Sequence, residues 1–189
     1  MIPSALFLDF DGVVSRNPPP DDPFRSGIER LVAENVHLLD AIVRRTGCRV
    51  VVSSSWRYDP ATGLGSRAPV LESWLRAKGY TGRVDGITPH HGEVRWSDDI
   101  EERRGGEILA WCVDRPQKPR AIAVLDDMAL RGPIAPFLVQ TDESAGITAA
   151  DVERVVALLQ QPLRGRRPWT QPRRAVRVAR PLHQPPEVP

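Results

Sequence analysis

The sequence predicts an α/β fold with a parallel sheet covered by helices on both faces, and three observations carry that prediction. Short apolar runs alternate with stretches of helical spacing along most of the chain. The runs Ala5-Leu6-Phe7-Leu8, Val50-Val51-Val52 and Ile122-Ala123-Val124-Leu125 are apolar without a break, as in strands buried on both sides. Polar residues able to do chemistry stand directly after these runs rather than inside them.

The first run stops at Asp9-Phe10-Asp11-Gly12, two acids one residue apart followed by a glycine. Such residues share a face of a straight strand, and burying two carboxylates in a core carries a prohibitive desolvation cost. The acids are therefore expected where the strand opens into a loop, with Gly12 turning the chain. Two acids at a strand tip call for a cation, and oxygen-only ligands suit Mg²⁺. A solvated turn without chemistry is the plainer alternative, although turn acids seldom end a buried strand.

Residues 15–30 are polar and broken by prolines, a loop over the strand tip. A helix is expected over 35–45, with Val36, Leu39, Ile42 and Val43 on one side and Gly47 as its stop. A second strand over 48–52 ends in Ser53-Ser54-Ser55-Trp56-Arg57. A helix over 69–78 closed by Gly79, a short strand over 83–88 and a polar connection over 89–100 follow. Arg104-Gly105-Gly106 is expected to open the next helix, whose apolar side holds Ile108, Leu109, Trp111 and Cys112. The strand over 120–125 again ends in paired acids, Asp126-Asp127, and a fifth is expected over 136–140. The last helix begins at Thr148 or Ala149 with Val152, Val155, Val156 and Leu159 as its stripe.

The chain's 189 residues suffice for one well-cored domain, expected over 1–160. From residue 161 the composition turns to proline and arginine, and seven arginines against Glu187 give that segment +6. Residues 1–160 then carry −4 of the overall +2, an acidic body joined to a basic tail expected to be extended or disordered. Such tails often bind nucleic acid through phosphate contacts, while a solvated linker is the default, with Trp169 favouring stacking. The two cysteines, Cys48 and Cys112, have neither metal-ligand nor disulfide spacing and read as small buried hydrophobes. No basic leader and no membrane-spanning run is evident, so the cytoplasm is the expected compartment and no membrane partner is expected.

Ligands of open parallel sheets bind beyond the carboxyl ends of the strands, where strand order reverses. Asp9/Asp11, Ser53/Ser54, the Thr88 loop and Asp126/Asp127 all stand at such ends. If the first and fourth strands are neighbours, three or four carboxylates converge and need a divalent cation. Hydroxyl and backbone N–H groups after the second strand suit phosphate oxygens. An arginine at a helix start, Arg104 or Arg103, opposes the dipole there and makes more sense facing a phosphate.

These residues resemble the motifs of the haloacid dehalogenase-like (HAD) superfamily: Asp9-Phe10-Asp11-Gly12-Val13, Ser54, and Asp126-Asp127. The finer pattern is similar to HAD phosphatase domains of multi-domain RNA repair proteins, in Ser54-Ser55-Trp56-Arg57, Gly86-Ile87-Thr88-Pro89, Arg104-Gly105-x-Glu107-Ile108-x-x-Trp111 and Leu125-Asp126-Asp127. The resemblance implies a Rossmann-like three-layer sandwich with a five-stranded sheet in the order 5-4-1-2-3, and a Mg²⁺-dependent phosphatase. It implies Asp9 as nucleophile and Asp11 as general acid and then base. Mg²⁺ would be held by Asp9, the backbone carbonyl of Asp11, and Asp126, with Asp127 nearby. Ser54 would bind phosphoryl oxygens, with Ser53 as its substitute if the strand ends earlier. The family's usual lysine has no counterpart, since Lys118 precedes the fourth strand and Lys78 closes a helix, so Arg104 takes that slot with Arg103 as alternate. The gaps that carry cap domains are short here, which implies a capless, open site suited to RNA or DNA ends as well as to small phosphoesters.

Several residues remain open on sequence alone. His90 and His91 read as solvated loop residues or acid/base groups; Trp56 as packing or stacking; Arg57 as a partner of phosphate or of a local acid. Trp111 reads as core. Two other classes compete: a receiver-like signalling domain, which normally carries its phosphoacceptor on the third strand and a lysine after the fifth, and a non-catalytic nucleic-acid binder relying on the tail.

Overall fold

The computed structural model describes residues 3–15, 27–57, 67–89 and 99–163. Strand β1 (Ala5–Leu8) is followed by α1 (Ala33–Thr46), β2 (Arg49–Val52), α2 (Ala68–Ala77), β3 (Val84–Ile87), α3 (Ile100–Asp114), β4 (Ile122–Asp126), β5 (Leu138–Gln140) and α4 (Ala149–Gln160). The five strands form one sheet in the order β3-β2-β1-β4-β5, and every adjacent pair is parallel. This is the expected order counted from the other edge. Strand order reverses at β1, between β2 and β4, and ligands of open parallel sheets bind beyond the carboxyl end of the strands at such a point.

Each strand divides its side chains between two cores. Leu6 and Leu8, with Val50, Val52, Ala123 and Leu125, meet the apolar sides of α1, α2 and α4. Ala5 and Phe7, with Val51, Ile122 and Val124, meet Ile108, Leu109, Trp111 and Cys112 of α3. Phe7 receives the edge of Trp111 at 5.2 Å between ring centres and 89° between planes. This alternation positions the site. The ladder runs one residue past the strands, with Asp9 N donating to Leu125 O at 2.9 Å and Ser53 N to Leu8 O at 2.8 Å. Asp9, Ser53 and Asp126 therefore leave the sheet on the side that α3 covers.

Sequence punctuation sets most boundaries. Gly47 ends α1 in the left-handed conformation, φ 62°, its N–H donating to Val43 O. Thr148 opens α4 with a capping box: Thr148 Oγ1 accepts from Asp151 N at 3.3 Å, and Asp151 Oδ2 accepts from Thr148 N at 3.0 Å. The start of α3 differs from the expectation at Arg104. It begins at Ile100, where Asp99 accepts from Glu101 N at 2.8 Å and from Glu102 N at 3.4 Å. Gly105 and Gly106 lie inside the helix, and a Cβ on Gly105 would stand 3.2 Å from Arg131 O. Close packing, not helix initiation, accounts for that glycine. Arg104 consequently lies beyond the first turn, and the dipole argument for its placement falls away. Strand β5 is shorter than expected because residues 132–137, with Pro133 and Pro136, wind into a 3-10 helix first.

Cys48 and Cys112 are buried free thiols, as expected. Among the described residues no helix is long and apolar enough to cross a membrane. His90, His91, part of the loop after β1, the connection between residues 58 and 66, and the basic segment from 164 lie outside the described residues. The capless reading falls partly on those loops. Replacing the helix cap, Thr148→Ala, is expected to lower the unfolding free energy by about 1 kcal/mol; urea titration measures it, and an unchanged midpoint contradicts the capping role.

Candidate active site

The carboxyl tips of β1 and β4 meet at three acids. Carboxylate oxygens of Asp9, Asp126 and Asp127 all lie within 4.8 Å of one another. Asp9 is 4 % exposed and Asp126 is fully buried, so their mutual repulsion is little relieved by water. Arg104 reaches between them from α3: its Nη1 donates to Asp9 Oδ2 and, at 2.9 Å, to Asp126 Oδ2. Main-chain amides hold the other oxygens, Phe10 N donating to Asp9 Oδ1 at 2.8 Å and Met128 N to Asp126 Oδ1 at 3.0 Å.

The electrostatics follow from this crowding. Burial first, and then the charge of Asp9, push the Asp126 carboxyl up to about 7, against the opposing pull of Arg104. Burial and then Asp9 also raise Asp127 above the ordinary carboxylate range. Burial works against the Arg104 charge, but Asp9 and Asp126 outweigh it and hold the guanidinium above its ordinary value. Among the described residues it is Arg104, not the alternate Arg103, that pairs with these acids.

The turn after β1 is wound tightly. The N–H groups of Val13, Val14 and Ser15 all donate to Phe10 O. Gly12 has φ 62°, and a Cβ there would come within 2.5 Å of Asp127 Oδ2, so only glycine lets Asp127 close over the turn. Thr141 Oγ1 donates to Gly12 O at 2.7 Å and Asn35 Nδ2 to Val13 O at 3.0 Å, anchoring the turn to neighbouring elements.

Asp11 points to a different set of partners. Its Oδ1 accepts from Arg30 Nη2 at 2.5 Å and Ser15 Oγ at 3.0 Å, and its Oδ2 accepts from Trp56 Nε1 at 2.9 Å. Its side chain is thus outside the group formed by Asp9, Asp126 and Asp127, which leaves its backbone carbonyl for any metal role. Arg30 also lies over the Trp56 ring, 4.8 Å from its centre. Arg30 was not singled out from the sequence, and no local signal marks it. It ends a 3-10 turn over Ile28–Arg30, 19 positions from its partner. Trp56 is 7 % exposed and packs on Phe10 at 5.2 Å, which excludes it as an open stacking platform.

Ser53 and Ser54 are both fully buried just past β2. Ser54 Oγ accepts from Trp56 N at 3.3 Å and so helps close the turn. Ser53 Oγ has no hydrogen-bond partner among the described residues, and its backbone ladder aligns it beside Asp9 on the α3 side. Strand β2 ends at Val52, the end expected from the sequence and not one residue earlier. Arg57 pairs with a local acid, Glu107, at 2.6 Å. Lys118 Nζ donates to the carbonyls of Val113 and Arg115 at the end of α3, away from the acids.

The family model described as the HAD domain in Swiss Army Knife RNA repair proteins matches residues 5–152. No curated protein matches the chain. The matched segment runs from β1 into α4 and includes all five strands, both acidic tips and Arg104. The chain belongs to this family of HAD-type phosphatase domains.

Proposed function

We propose that the chain is a Mg²⁺-dependent phosphomonoester hydrolase that works through an aspartyl-phosphate on Asp9, with a nucleic-acid terminal phosphate as its favoured substrate. The observation that carries this reading is the cluster in which Asp9, Asp126 and Asp127 crowd together with Arg104 between two of them. The donor set fits a hard divalent cation: oxygen ligands only, mostly buried, with Asp126 and Asp127 pushed up by burial and then by the charge of Asp9. Asp9, Asp126, Asp127 and the backbone carbonyl of Asp11 would hold Mg²⁺, which supplies positive charge to the phosphoryl oxygens when bound.

The chain's own residues divide the remaining work. A carboxylate oxygen of Asp9 attacks phosphorus as the bond to the leaving oxygen breaks. Asp11 gives that oxygen a proton and then takes one from the water that hydrolyses the aspartyl-phosphate, releasing orthophosphate and restoring Asp9. Ser53 or Ser54 donates to the phosphoryl group: Ser53 Oγ has no hydrogen-bond partner among the described residues, and Ser54 Oγ accepts from Trp56 N without using its own proton. Arg104 exchanges a carboxylate partner for a phosphoryl oxygen, a role its planar fork suits. Arg30, Ser15 and Trp56 hold Asp11 as a carboxylate, so Asp11 leaves part of this donor set and takes up a proton before it acts as the acid.

The nucleic-acid preference draws on the family's description and on the arginine-rich segment from residue 161. A small phosphoester is the alternative within the same chemistry. Phosphate release across RNA and DNA oligonucleotides with defined 5′ or 3′ phosphates, mononucleotides and p-nitrophenyl phosphate distinguishes them. Asp9→Asn is expected to lower the rate at least about a thousandfold on the best substrate. Equally small release by wild type and Asp9→Asn across the panel contradicts the proposal.

The raised Asp126 also ties stability to pH. Its carboxyl is about 7 in the folded chain against an ordinary 3.8, so the folded state holds a proton that the unfolded state has lost between those values. Stability of the metal-free protein from this group is full below the ordinary value and falls as pH rises through about 7. Thermal unfolding after EDTA treatment is expected to show Tm falling across this window. Mg²⁺ is expected to flatten that fall, as is Asp126→Asn. An unaltered slope in Asp126→Asn contradicts the assignment.

A further inference from the structure

Arg57 and Glu107 form an ion pair that takes no part in the steps above. Arg57 is 5 % exposed and Glu107 3 %. Burying two charges returns little stability relative to well-packed apolar side chains. What this pair has that apolar groups lack is direction. Arg57 Nη2 donates to Glu107 Oε2 at 2.6 Å, while its Nη1 donates to Ser54 O at 2.8 Å. The Arg57 backbone N–H donates to the same Ser54 carbonyl at 3.2 Å. The turn that presents the Ser53 and Ser54 hydroxyls is thus fixed by Arg57 twice over. Glu107 stands three residues after Arg104 on α3, which sets both on one side of the helix. One guanidinium therefore links the hydroxyl-bearing turn to the helix that delivers Arg104.

We infer that Arg57 and Glu107 are positioning residues, a staple that fixes the separation between the Ser53-Ser54 turn and Arg104 and so sets the width of the phosphoryl subsite. The inference rests on the phosphohydrolase reading, in which turn and arginine grip one phosphoryl group from two sides. It gives a use to two residues of the Ser-Ser-Trp-Arg and Arg-Gly-x-Glu stretches that the chemistry itself leaves unassigned. Neither touches the reacting atoms.

The test compares wild type, Arg57→Lys and the double variant Arg57→Met/Glu107→Met. Three readouts are taken with Mg²⁺ present: KM and kcat on p-nitrophenyl phosphate, the dissociation constant of inorganic phosphate by calorimetry, and Tm. The double variant is expected to keep or raise Tm, because an apolar pair replaces buried charges. Its KM and its phosphate dissociation constant are expected to rise about tenfold, the order expected when binding groups shift by a fraction of an ångström. Arg57→Lys, which keeps the charge but loses the fork, is expected to fall between. Variants that fold and retain wild-type KM and phosphate affinity overturn the staple, as does a loss of rate that only follows the unfolded fraction at constant KM. Should the double variant not fold, Arg57→Lys decides on the same readouts. A wild type that binds phosphate but releases none defeats the phosphohydrolase reading, and the variants' phosphate affinities still judge the staple. A wild type that binds no phosphate overturns both.

Discussion

Repulsion among three carboxylates at the tips of two adjacent strands is the constraint on which this structure turns. Asp9, Asp126 and Asp127 are brought within 4.8 Å of one another by the direct pairing of β1 with β4. Such a group is unfavourable in a buried place unless positive charge meets it. In the chain alone that charge comes from Arg104, which pairs with two of the three. In the proposed function the same demand is met by a divalent cation, and the same arginine then turns to an incoming anion.

The surroundings show how the fold tolerates this local cost. Two cores, one on each face of the sheet, hold β1 and β4 in register through Leu6, Phe7, Leu8, Val124 and Leu125. The turn beyond β1 is tied down by Thr141 and Asn35, from elements distant in sequence. Asp11 is held apart from the other acids by Arg30, Ser15 and Trp56. One acidic motif thereby yields two environments: a buried Asp9 facing Asp126, and an Asp11 wrapped in donors.

Much of this was legible in the amino-acid order, for physical reasons that differ by element. Unbroken apolar runs can only be strands covered on both sides, so the sheet and its central strands could be read directly. Acids after such runs could be placed at strand tips, yet the expectation that burial would be refused does not hold: Asp9 is buried, and Asp126 is the fully buried last residue of β4. The start of α3 was misjudged because Gly105 and Gly106 resemble a helix opening, whereas Gly105 is small to let Arg131 approach. Arg104, expected from the sequence to face a phosphate, pairs with Asp9 and Asp126 in the structure, and the dipole argument for it does not hold. Arg30 and the partner of Arg57 were hidden, because ion pairs between residues 19 and 50 positions apart leave no local pattern. The ladder that aligns Ser53 with Asp9, and the Trp56 N–H that donates to Ser54 Oγ, likewise leave no mark in the amino-acid order.

Calorimetric titration of Mg²⁺ into the wild-type chain and into Asp127→Asn tests the shared acidic pocket most directly. The account predicts a single Mg²⁺ site in the wild type that is markedly weakened when Asp127 loses its charge. Absence of Mg²⁺ binding to the wild type, or equal affinity in both proteins, would contradict it.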